Sequence, residues 1–266
     1  MMKYKYILIN DHEFIRSITL NREDVHNAFN DEFIDEMIDA FEKTALEKSI
    51  QIVKLDANGK SFSAGADLNW MKKMISYSKA DNLKDSLKLS KMFKVMNDLP
   101  QLLFGVVQGH AFGGALGMIA VCDYVIAEPK ALFSFSEVRL GLIPAVISEF
   151  VIPKIGYSQA QAYFTSGLRF DAQRAKEIGL VHECVNSDEL EKRSSQLMKS
   201  FLKAGKNAQR KSKQFVKDAC EHLKDKEFNY SNWSAESISE LRVSDEGQEG
   251  MNALLEKRPA SWVEKK

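Results

Sequence analysis

Two glycine-bearing turns constrain this chain more than any other feature. One is Ser61-Phe62-Ser63-Ala64-Gly65-Ala66-Asp67-Leu68. The other is Gly109-His110-Ala111-Phe112-Gly113-Gly114-Ala115-Leu116-Gly117. Each follows an apolar run of β type and opens an apparent helix. A chain that repeats strand, tight turn and helix builds an α/β domain. Small residues at such turns leave backbone N–H groups uncovered, and a helix N-terminus adds partial positive charge. Either turn alone reads as tight strand-to-helix packing. Two of them point to a site, because two N–H groups aimed at one point make an oxyanion hole.

The rest of the chain fits that frame. Residues 4–9 and 14–20 alternate like two strands around a polar turn at 10–13. Asn30 has the character of a helix cap, followed by Phe33, Ile34, Met37, Ile38 and Phe41 at helical spacing. Residues 50–55 read as a strand, and 71–79, polar and lysine-rich, as a mobile loop. A long helix over 80–99 closes at Pro100, and a buried-type strand follows at 102–107. A short helix is expected over 114–120, then strands at 124–127, 131–135 and 181–185. From Val146 onward the pattern is mostly helical, with three or more helices running to about Glu256. The expectation is an α/β core over 1–195 and a helical region over 196–266.

At 266 residues, 44% of them hydrophobic, the chain can bury a substantial core. Lys plus Arg equals Asp plus Glu at 37 each, so no general charge draws it to nucleic acid or an anionic membrane. Cys122, Cys184 and Cys220 fit neither a zinc pattern nor a closed disulfide set. The N-terminus lacks the apolar core of a signal peptide, and no apolar run reaches a membrane span. These features predict a cytoplasmic protein with no nucleic-acid or membrane partner.

The chemistry narrows by exclusion. Neither turn ends in Gly-Lys-Ser/Thr, neither has dinucleotide spacing, and no Gly-x-Ser-x-Gly elbow occurs. His12, His26, His110, His182 and His222 are dispersed, which predicts no metal site. Glu137, between Phe135 and Val138, sits in an apolar neighbourhood. Most glutamates are solvated or ion-paired, but such surroundings can also raise a carboxyl pKa into a range useful for proton transfer.

Residues 63–68, 109–117 and 135–144 resemble the enoyl-CoA hydratase/isomerase family, the crotonase superfamily. His26-Asn27-Ala28, Gly167 with residues 172–181, and residues 247–250 resemble further segments of it. The resemblance runs in order over nearly the whole chain. It implies an α/β fold of repeated ββα units with a C-terminal helical trimerisation region, hence a homotrimer or hexamer. It implies an acyl-CoA thioester substrate and no separate cofactor, since CoA enters as part of the substrate. The oxyanion hole would use the N–H groups of Ala66 and Gly114, and Glu137 would be the acid/base. Ala64, Gly65, Ala66, Asp67 and Leu68 would meet the adenine end of CoA through their backbone.

Two departures stand out. Many hydratases of this family carry two catalytic glutamates, and the position of the first is Gly117 here. After Pro144, Ala145-Val146-Ile147 replaces the usual glycine-rich continuation. With Ser136-Glu137-Val138-Arg139 and residues 242–250, these departures resemble the family's bacterial methylglutaconyl-CoA hydratases, of leucine breakdown. Water addition to a 3-methylglutaconyl thioester is therefore the favoured expectation. An enoyl-CoA isomerase, for which one carboxylate suffices, and a non-catalytic acyl-CoA-binding protein are the alternatives. A substrate with a distal carboxylate calls for a cation. Arg139 is the first candidate, because in an extended segment it would face the same way as Glu137; an ion-paired or surface arginine is equally expected. Lys72 and Lys73 are the other candidates.

Overall fold

The computed structural model describes residues 4–264, and the chain divides into two compact units. The first takes in residues 1–99 and 103–194; the second takes in 100–102 and 195–266.

The first unit holds two sheets. The larger has the order β1-β2-β3-β5-β7-β10 and the smaller the order β4-β6-β8-β9. In chain order the strands are β1 (Ile7–His12), β2 (Ile15–Leu20), β3 (Ile52–Ala57), β4 (Ser61–Ser63), β5 (Leu102–Val107), β6 (His110–Phe112), β7 (Tyr124–Ala127), β8 (Leu132–Ser134), β9 (Phe170–Asp171) and β10 (Glu183–Cys184). β1 pairs antiparallel with β2, with Ile7 opposite Leu20, while β2–β3, β5–β7 and β7–β10 are parallel. The polar residues 10–12, expected as a turn, continue β1, and the turn falls at Glu13–Phe14 with Glu13 at φ 52. β1 is an edge strand, where polar side chains face water at no cost.

Its helices are α1 (Asp31–Leu46), α2 (Leu68–Met74), α3 (Lys79–Asn97), α4 (Ala115–Ala120), α5 (Ala145–Ile155), α6 (Tyr157–Ser166) and α7 (Ala172–Glu177). The Asn30 side chain accepts the Phe33 N–H and so caps α1, which buries Phe33, Ile34, Met37, Ile38 and Phe41. The segment read as a mobile loop is α2, capped by Asp67, followed by a short turn. α3 then starts behind a capping box of Ser78 and Asp81.

α8 (Leu190–Phe201) runs from the first unit into the second. The second continues with α9 (Lys206–His222), α10 (Tyr230–Val243), α11 (Asp245–Leu255) and α12 (Ser261–Glu264). Phe215 stacks on Trp233 at 4.4 Å between α9 and α10, and the Trp262 indole N–H donates to the Lys203 carbonyl.

Candidate active site

The smaller sheet gathers the site. β4 and β6 run parallel with Ser61 opposite His110, and β6 and β8 run parallel with Phe112 opposite Ser134. Their C-terminal ends therefore lie side by side. From those ends the chain leads to Ala66, Gly114 and Glu137. Ligands of α/β sheets settle outside such carboxyl ends.

The first two turns touch. A Cβ on Gly65, at φ +86, would stand 2.7 Å from the Phe112 carbonyl oxygen, so only glycine fits there. Phe29 links them further: its backbone bridges Ala66, and its ring lies 2.8 Å from where a Cβ on Gly114 would be. Neighbouring N–H groups are spent inside the protein. Ala64 donates to the His26 carbonyl, Asp67 to the Phe29 carbonyl, Gly113 to the Ser134 carbonyl, and Gly65 to Ser63 Oγ. The N–H groups of Ala66 and Gly114 donate to no acceptor among the described residues. Two donors left free at abutting turns are what an oxyanion hole needs.

Glu137 lies beside them. A Cβ on Gly113 would be 3.4 Å from Glu137 Oε1. Glu137 is half-buried, and its Oε2 is buried with no hydrogen-bond partner. Burial raises its pKa above the ordinary value, opposed only by its own backbone N–H. A carboxyl group whose proton is held more tightly than usual is suited to passing it to and from a substrate.

Gly117 is not an open slot for a second carboxylate. A Cβ there would stand 2.5 Å from Ile147 Cγ2 and 2.7 Å from Phe93 Cε1. Side chains of α3 and α5 fill the space beside it. The two departures seen in the sequence, Gly117 and Ala145-Val146-Ile147, are thus one structural feature.

Arg139 does not stand as expected relative to Glu137. Ser136–Leu140 is a 3₁₀ turn and not an extended segment. At three residues per turn, side chains two positions apart diverge by roughly 120°. Arg139 Nε donates instead to the Gly167 carbonyl at 2.9 Å. Lys72 and Lys73 lie on α2, both exposed.

The run from Ala64 to Leu68 is held by residues that spacing alone did not single out. Asn27 is fully buried, accepts the Arg22 N–H and donates to the carbonyls of Asn58 and Ser61. Arg22 forms a 2.7 Å ion pair with Asp67 and also donates to the Ala28 carbonyl. The Asp67 carboxylate caps α2 through Asn69 and Trp70 N–H groups. Burial alone would raise its pKa, but the Asn69 N–H, Arg22 and the Trp70 N–H hold it below the ordinary value. The sequence marked Asn27 only as part of His26-Asn27-Ala28; its bracing role and that of half-buried Arg22 join distant positions. Leu68, by contrast, is 74% exposed. A cavity of about 300 Å³ opens beside Asp67, lined by Arg22, Asn69, Trp70 and Lys73 among others. Glu137, Ala66 and Gly114 are not among the residues that line it.

No group of three or more His, Cys, Asp or Glu among the described residues is arranged to hold a metal ion. No helix among them is long and apolar enough to cross a membrane.

The enoyl-CoA hydratase/isomerase family model matches residues 10–265. The chain belongs to that family. It is 38% identical to a crystal structure of an enoyl-CoA hydratase from Shewanella pealeana, with TM-score 0.92 over 98% of this chain and 97% of that one. It is 27% identical to the 2,3-dehydroadipyl-CoA hydratase of Escherichia coli, over 95% of this chain and 96% of the relative. A trans-2-decenoyl-[acyl-carrier-protein] isomerase of Streptococcus mutans is 25% identical over 99% of this chain and all of its own length. The fold is the crotonase fold: an α/β core with a helical C-terminal region.

Proposed function

We propose that this chain adds water across the α,β double bond of an acyl-CoA thioester, or removes it in reverse, on a 3-methylglutaconyl-type acyl group. The observation that carries this reading is the Glu137 carboxylate, its Oε2 buried without a hydrogen-bond partner, beside the two acceptor-free N–H groups. The thioester carbonyl oxygen sits against Ala66 and Gly114. Glu137 takes a proton from water as the water oxygen bonds to the β-carbon. The double-bond electrons move toward the thioester, and the oxyanion is held by the two N–H groups, each worth about 2.7–4 kcal/mol of activation free energy in comparable sites. Glu137, now a carboxylic acid, returns its proton to the α-carbon. One carboxyl group thus serves as base and then as acid.

The thioester's CoA portion runs along residues 64–68, meeting Ala66 and the exposed Leu68. Asp67 supports this run from within. The dicarboxylic acyl chain is supported by the motif resemblance and by a relative named for 2,3-dehydroadipyl-CoA, itself a dicarboxylic acyl thioester.

The filling of the Gly117 site by Phe93 and Ile147 favours a second reading. A lone carboxylate suffices to move a proton between two carbons, which is isomerase chemistry. A panel of 2-enoyl and 3-enoyl CoA thioesters, with and without a distal carboxylate, separates the readings. Hydration fastest on the 2-enoyl thioester carrying a distal carboxylate is expected. Double-bond migration without water addition would replace the hydratase reading, and binding without turnover would leave an acyl-CoA-binding protein.

A further inference from the structure

The Ser136–Leu140 turn presents Glu137, yet little within the turn fixes it. Its five residues have 3₁₀ geometry, whose hydrogen bonds are poorer than those of an α-helix, and no side chain caps it. Glu137 Oε2 has no partner to anchor the carboxylate itself. The place of the carboxylate therefore depends on what ties the turn down at either end.

Both ties converge on one atom, the Gly167 carbonyl oxygen. It accepts Ser134 Oγ–H at 3.0 Å, just before the turn, and Arg139 Nε–H at 2.9 Å, within it. Ser134 is almost wholly buried, and its own carbonyl takes the Gly113 N–H at 2.9 Å. The same bracket thus reaches the oxyanion turn. Gly167 closes α6 at φ +58, its N–H held by the Tyr163 carbonyl at 3.0 Å. A Cβ there would press on Val138 Cγ1 at 3.0 Å and on Arg139 Cγ and Nε at 3.2 Å, so the turn packs directly on its backbone.

We propose that Arg139, with Ser134, is a positioning residue that sets the Glu137 carboxylate against the oxyanion turn through the Gly167 carbonyl. The proposal rests on Glu137 being the acid/base. It assigns Arg139 its hydrogen-bond donor and not its charge. A displacement of about 1 Å in a reacting group costs up to about a hundredfold in rate, so losing the tie acts on turnover.

The donor and the charge separate by substitution. Arg139→Met keeps the length and removes both. Arg139→Gln places an amide N–H at the same distance along the side chain as Arg139 Nε, without charge. Each variant is assayed on thioesters with and without a distal carboxylate, with the pH profile of kcat and a thermal melt. Arg139→Met is expected to lower kcat about ten- to a hundredfold equally on both substrates, to leave KM near its original value, and to move the acid limb of the profile. Arg139→Gln is expected to restore most of the turnover, and Ser134→Ala to give a smaller loss of the same kind. Equal losses in Met and Gln variants confined to the carboxylate-bearing substrate would overturn the proposal and make Arg139 a reader of that carboxylate. Unchanged kcat in Arg139→Met would overturn it as well. Full turnover in Glu137→Gln would instead remove the acid/base reading beneath it, a separate outcome.

Discussion

At the scale of single residues, Glu137 makes two predictions that pull in opposite directions. Burial raises its pKa, so the native state favours the protonated form. Its contribution to stability is fully present below the ordinary value of 4.5 and is lost as pH rises through the raised value. Above the raised value the ionised carboxylate bears its desolvation cost. Glu137→Gln should therefore lower turnover by about 10²–10⁴ while melting at the same or a higher temperature than the parent, the difference closing toward acid. Loss of both activity and stability would mean that the carboxylate is a structural partner. Gly117 gives the converse case. Gly117→Glu drives a side chain into Ile147 and Phe93. Overpacking of that kind costs about 1–3 kcal/mol, and the buried charge adds to it. A lowered melting temperature with no gain in hydration is expected; faster hydration would show that the site only lacked its second glutamate.

At the scale of elements, what the sequence disclosed follows how much periodicity each element carries. α1 was legible because five apolar positions repeat behind the Asn30 cap. α2 was not, since Trp70 is its only buried residue and a single buried side chain leaves no period to read. The 3₁₀ turn at Ser136–Leu140 escaped for the same reason, and with it the direction of Arg139. The pairs that brace the turn at residues 64–68 join positions far apart in the chain, which no local pattern reveals. The Arg22–Asp67 pair tests their weight. Removing one partner of a buried pair costs about 3–5 kcal/mol. Arg22→Met should fall toward the lower end, because two N–H donors still serve Asp67. The Asp67 pKa is held below its ordinary 3.8, so its contribution is present above that value and is lost as pH falls through the lowered one. The stability gap between parent and Arg22→Met should thus be widest at neutral pH and narrow in acid. A pH-independent gap would assign the loss to the stacking of the Arg22 guanidinium over the Tyr6 ring.

At the scale of the whole molecule, the motifs pointed to the α/β fold, since two turns and a carboxylate after strands are a local signal repeated three times, whereas the order of the strands in the two sheets joins distant segments and left no local signal. Assembly left a weaker trace. The apolar residues near the C-terminus read equally well as an internal core or as a surface for other copies. In the structure Val243, Leu254 and Leu255 are 78%, 78% and 79% exposed, and Met251 is 41% exposed. Apolar side chains grouped on one unit and left in water mark an interaction surface more often than chance. The expected occupant is a further copy of this chain, giving three or six copies in solution. Light scattering at micromolar concentration should return the mass of a trimer or hexamer. Because Leu254 and Leu255 are exposed in the single chain, replacing both with lysine should leave each chain folded by circular dichroism while lowering the assembled mass. A monomeric parent would refute the assembly, and an unchanged mass in the double variant would place the contact on another surface.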